Sequence, residues 1–105
     1  MRIEGHTIIF SSSPVNWLKE QDGRKPNTTR YIPLHEVHEY MLQMNEPDGI
    51  MYAGDSLTEI KNIRIINSVS KQPFERQLTD VTFADINMMP VFIFSWKHEA
   101  SLLNK

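Results

Sequence analysis

The run "VFIFSW", Val91 to Trp96, sets Phe92, Phe94 and Trp96 on one side of an extended chain and Val91, Ile93 and Ser95 on the other. That period of two, carried by β-branched and aromatic residues, predicts a β-strand. Both sides carry apolar groups, so both faces are expected to be at least partly buried. Upstream, "EIKNIRIINS" (Glu59 to Ser68) and "FERQLTDVTFAD" (Phe74 to Asp85) read as further strands, separated by the turn-like "VSKQP". The final third of the chain is therefore predicted to be β-structure.

Working back toward the N-terminus, "HTIIFS" (His6 to Ser11) reads as a short first strand. Helix punctuation follows it. Ser13 is placed to cap, Pro14 suits the first turn and Gly23 suits the exit, which predicts a helix from about Pro14 to Gln21. Val15 and Leu18 share a face with Trp17 alongside, so this helix is expected to dock on the core through them. "TRYI" reads as extended. The spacing of Leu34, Val37, Met41 and Met44 in "PLHEVHEYMLQM" predicts a second helix, stopped by "NEPDG". "IMYA" (Ile50 to Ala53) reads as a short strand before a turn at Gly54 and Asp55. The expected fold is α+β: a small, mostly antiparallel β-barrel with two helices, formed by residues 1–105 as one domain.

Composition narrows the function classes. With 105 residues, 40% of them apolar, there is material for one globular core. The absence of cysteine excludes disulfides, thiolate metal sites and a cysteine nucleophile, and fits a reducing compartment. "MRIEGHTIIF" is too interrupted for a signal peptide and no run reaches the length of a membrane span, so a soluble, cytoplasmic protein without a membrane partner is expected. No motif calls for a cofactor. His35 and His38 in "HEVHE" are one residue too close for the zinc helix motif and read as solvent-facing, as do His98 and Glu99 after the last strand. Met41, Met44, Met88 and Met89 read as flexible core filling.

The formal charge of −2 gives no global attraction to nucleic acid, but the charge is uneven. Lys19, Arg24, Lys25 and Arg30 fall between positions 19 and 30 against Glu20 and Asp22, while Tyr31 to Ile60 holds six acids and no Lys or Arg. Charged residues on such segments ordinarily make a solvated surface. The basic segment nevertheless ends in "DGRKPNTTR", Asp22 to Arg30, whose chemistry is more specific. Gly23 permits a left-handed exit from the helix and a close backbone approach to a ligand, and Pro26 biases Lys25 toward an extended conformation. If "NTTR" continues as a strand, Thr28 and Arg30 point to one side. An ammonium, a hydroxyl and a guanidinium then converge on an anion or polar ligand.

The spacing of Gly23, Lys25 and Arg30 resembles the signature of the ASCH family, small β-barrel domains with a PUA-like fold, written G-x-K-x-x-E-x-R. Thr28 occupies the glutamate position. A subgroup similar to the bacterial acetylcytidine amidohydrolases carries threonine there, in "GRKT-x-T-x-R", from which "GRKPNTTR" differs by Pro26. "KPNT-x-R", a β-hairpin and a terminal "SWKHE" also resemble small phage or prophage proteins. The resemblance implies a binding module in which Gly23, Arg24, Lys25, Thr28 and Arg30 hold a nucleotide, nucleoside or RNA segment. It also implies, as an alternative, an amidohydrolase in which Lys25 and Thr28 act with a separate glutamate, for which Glu75 is the candidate. A third reading is a phage accessory protein that meets a protein partner through its acidic middle, Glu36, Glu39 and Asp48.

Overall fold

The computed structural model describes residues 1–98. Glu99 lies outside the described residues. The chain runs β1 (Arg2–Glu4), β2 (Thr7–Ser12), α1 (Pro14–Gln21), β3 (Asn27–Tyr31), α2 (Leu34–Glu39), β4 (Gln43–Asn45), β5 (Ile50–Ala53), β6 (Thr58–Ile60), β7 (Asn62–Asn67), β8 (Pro73–Ile86) and β9 (Met89–Trp96). The α+β class with two helices is as expected. Six strands form one sheet in the order β1-β2-β7-β8-β9-β3, and β4-β5-β6 form a second. Pairing among the described strands is antiparallel except for β2 with β7, which run parallel from Thr7↔Asn62 to Ser12↔Asn67.

Long β8 shapes the larger sheet. Its first part, Pro73 to Gln77, pairs with β7 on one side, and from Leu78 onward it pairs with β9 on the other. A bulge between Leu78 and Asp80 marks the changeover, where an extra residue bends a strand. The sheet thus curls, but its ends, β1 and β3, share no ladder. Among the described residues, backbone pairing does not close the expected barrel.

The alternation in β9 lands as the sequence predicts: Phe92, Phe94 and Trp96 are buried in the core with Ile8, Phe10, Ile63, Ile65, Phe74 and Val81. Phe10 and Phe94 meet at 5.1 Å between ring centroids, and Phe74 meets Trp96 at 6.1 Å. Val91 on the other face is also buried.

Three expectations are corrected. In α1, Val15 and Leu18 are exposed. The helix docks instead through Trp17, whose ring meets Phe74 at 5.7 Å and whose Nε1 donates to the Ile65 carbonyl at 3.0 Å. One large indole with a satisfied N–H outweighs two smaller side chains on a helix of eight residues. The second helix stops at Glu39, because Met41 takes a φ of +50° and the chain leaves as β4. Val37 and Met44 still pack on the core, but from two different elements. Finally, Met88 is 92% exposed at the β8–β9 turn, where Asn87 and Met88 both have positive φ, and Met41 and Met89 are exposed as well. Two left-handed residues match the twist of a tight hairpin, which places their side chains in solvent.

The smaller sheet docks on β8 through its first turn, where Val81 N–H donates to the Gly49 carbonyl at 3.0 Å. Gly49 has φ +69°, and a Cβ there would overlap the Asp80 carboxylate. Gly54 also has positive φ, but a Cβ there would meet nothing. Gly54→Ala is therefore expected to cost about 1 kcal/mol from backbone conformation alone, and Gly49→Ala about 2 kcal/mol or more. Urea unfolding of the two variants checks the order, and equal costs would refute this docking contact.

Candidate functional site

Beyond the stretch that β1 pairs, the end of β2 shares no ladder with the β3 edge, and there the sequence places small polar residues. β2 ends in Ser11 and Ser12, Ser13 starts the helix, and β3 follows the turn after it. Register decides which β3 side chains turn inward. Thr28 lies opposite Phe94 and Arg30 opposite Phe92, so both leave the strand on the core face.

Arg30 spans the gap. Its Nε donates to Thr28 Oγ1 at 2.9 Å, its Nη1 to the Ser11 carbonyl at 2.7 Å, and its Nη2 to Ser12 Oγ. Its guanidinium also stands 4.9 Å from the Phe10 ring centroid, at cation–π distance. Burial pushes Arg30 below its ordinary pKa, and the charge of Glu20 opposes that push. The side chain does between β2 and β3 what a ladder does elsewhere in the sheet.

A cleft of ≈ 250 Å³ opens beside it, lined by Ser11, Ser12, Ser13, Asn16, Glu20, Lys25, Thr28, Thr29 and Arg30. Three residues anticipated from the sequence, Lys25, Thr28 and Arg30, thus share one cavity. Lys25 is half-buried, and its N–H donates to the Lys19 carbonyl at 3.0 Å, which fixes the turn after α1. Two other anticipated residues stay outside the lining. Arg24 is exposed and folds back on Asp22, its N–H on Oδ1 at 3.1 Å and its Nε on Oδ2 at 2.9 Å. Gly23 has φ +91° and its open side faces the His98 ring, 2.7 Å from where a Cβ would stand. Its missing side chain serves packing of the last strand against the turn.

Glu75 is also elsewhere. Its neighbour Phe74 is the β8 residue that enters the core, so Glu75 lies on the other face. There it is mostly buried and pairs with Arg64 on β7 at 2.9 Å, while Arg64 reaches Glu4 at 3.3 Å. Strand alternation separates two faces without saying which is inward.

The carboxylate in the cleft belongs to Glu20. It is 1% exposed, and neither of its oxygens has a hydrogen-bond partner among the described residues. A buried charge is ordinarily paired or hydrogen-bonded, so this one is anomalous as a structural element. The sequence signal is faint but physical: Asn16 and Glu20 are four apart and share a helix face, so seating Trp17 brings Glu20 inward with it.

Larger hollows of ≈ 330 Å³ beside Asp48, Glu59 and Gln77, and of ≈ 390 Å³ beside Ile3, Glu39 and Tyr40, carry no comparable arrangement of buried unpaired acid and cations among the described residues. His35 and His38 are exposed on α2. Among the described residues, no group of three or more His, Asp or Glu is placed to hold a metal, and no helix is long and apolar enough to cross a membrane. No family model matches this chain, and no curated protein or solved structure is significantly similar to it.

Proposed function

We propose that the cleft between α1 and β3 binds a nucleoside, a nucleotide or one nucleotide of an RNA segment, in an ASCH-like domain. The observation that carries this reading is the convergence of Lys25, Thr28 and Arg30 on a single cavity with a buried carboxylate. At ≈ 250 Å³ the cleft is below the range of about 300–1,000 Å³ usual for whole drug-sized ligands, so it suits one base rather than a dinucleotide. Lys25 supplies a point charge for a phosphate, and the guanidinium and hydroxyl groups supply directed bonds. On this reading the curled sheet is a PUA-like barrel whose last seam is held by Arg30.

Titration calorimetry with ribonucleosides, their monophosphates and short single-stranded RNA tests the proposal. Saturable binding by at least one class is expected, and Lys25→Ala is expected to weaken a phosphorylated ligand about tenfold while flattening the salt dependence. If no class binds the wild type, the reading fails.

The presence of an acid beside Lys25 and Thr28 favours a second reading, hydrolysis of an acylated nucleoside. Glu20 would take a proton from water as the water attacks the amide carbonyl, with Lys25 and Arg30 facing the developing oxyanion and the amine leaving protonated. Acetylcytidine is the substrate to try. Cytidine and acetate should accumulate with wild type and cease with Glu20→Gln, whereas binding without product leaves the binding module as the function.

A further inference from the structure

We infer that Glu20 reads the ligand by accepting two adjacent N–H donors from the edge of a base, the pattern of a ring N–H beside an exocyclic amino group that guanine carries. This rests on the cleft taking a nucleobase and specifies which face of it enters. Glu20 lines the cleft and is 1% exposed, and neither of its buried carboxylate oxygens has a donor among the described residues. A carboxylate so placed has up to four acceptor positions unused, and leaving them unmet in a low-dielectric site is costly.

Nearby cations do not satisfy it. Arg30 feels the Glu20 charge, yet its hydrogen bonds go to Thr28, Ser11 and Ser12, and no ion pair within 4 Å joins it to Glu20. The charge balance around Glu20 also distinguishes the two ends of a nucleotide. A phosphate carries no donors at neutral pH and would face a buried negative charge, so it belongs at the mouth by Lys25. A base edge with paired N–H groups matches the two carboxylate oxygens in spacing and in polarity, as a carboxylate does when it accepts from an amino group of a base. Glu20 therefore sets selectivity while the cations set general affinity.

The test compares guanosine with inosine, which lacks only the exocyclic amino group, in wild type and in Glu20→Gln, and adds methylguanidine as a donor pair without a nucleoside. Wild type is expected to prefer guanosine about tenfold or more, and Glu20→Gln to bind the two alike. Because a buried carboxylate without a protein partner is replaced, the variant is also expected to unfold at a higher urea concentration than wild type. Equal binding of the two nucleosides by wild type, a preference kept in Glu20→Gln, or a loss of stability that marks Glu20 as structural each overturns the inference while the nucleoside reading stands. If methylguanidine binds in a Glu20-dependent way and no nucleoside does, the acceptor role holds and the nucleoside reading falls. If neither binds, both fall.

Discussion

Arg30→Ala is expected to weaken binding at the cleft by about 100-fold and to cost the fold about 2–4 kcal/mol. Both effects follow from one side chain with two loads. Three of the five N–H groups of a guanidinium are spent on Thr28, Ser11 and Ser12, which ties β3 to β2 across a seam without backbone pairing. The remaining two make no hydrogen bond among the described residues, and on the proposed reading they meet the ligand. Removing the side chain strands the Ser12 and Thr28 hydroxyls in buried positions and takes away the cation that offsets Glu20. Arg30→Lys keeps the charge but not the planar fork, so it is expected to recover less than half of either loss. Calorimetric affinity and urea unfolding measure the two effects separately. Wild-type affinity in Arg30→Ala would remove Arg30 from the ligand site, and unchanged stability would show that the seam does not depend on it.

How far the fold can be read from the sequence depends on the range of the interaction. The alternation of Phe92, Phe94 and Trp96 and the Ser13, Pro14, Gly23 punctuation are local signals, and the corresponding strand and helix lie where they predict. Three-residue strands such as β1, β4 and β6 are too short to show a period. The spacing of Leu34, Val37, Met41 and Met44 looked helical because a six-residue helix followed by a left-handed residue and a strand brings Val37 and Met44 to the same core. The parallel pairing of β2 with β7 joins segments more than fifty residues apart and leaves no local mark.

The site divides along the same line. Lys25, Thr28 and Arg30 were legible because Gly23 and Pro26 constrain the turn and strand geometry then fixes which side chains converge. Glu20 was not, since a glutamate between a lysine and a glutamine on a helix ordinarily faces water. Only the docking of Trp17 against Phe74 turns its face inward. Glu75 went the opposite way, because its strand was legible and the sense of its alternation was not.

Phe94→Ala is expected to destabilise the protein by about 3–5 kcal/mol, out of the 5–15 kcal/mol typical of a domain. Phe94 is 0% exposed and packs on Phe10 at 5.1 Å and on Phe92 at 6.5 Å, so truncation leaves a cavity bounded by rigid strands that cannot collapse into it. Phe83 sits at the rim of the same face, 5.3 Å from Phe92 and 44% exposed, and Phe83→Ala is expected to cost about 1 kcal/mol. The difference in urea midpoint between the two variants, at similar m-value, measures the core position of Phe94, and similar midpoints would contradict it. Phe94 also lies across from Thr28, and the ring it supports, Phe10, is the one beneath the Arg30 guanidinium. Phe94→Leu, a smaller truncation expected to cost about 1–2 kcal/mol, therefore probes that second role in a folded protein. With the fold retained, it should lower affinity at the cleft in the same direction as Arg30→Ala and by a smaller factor, because the leucine supports the Phe10 ring beneath the charge less well.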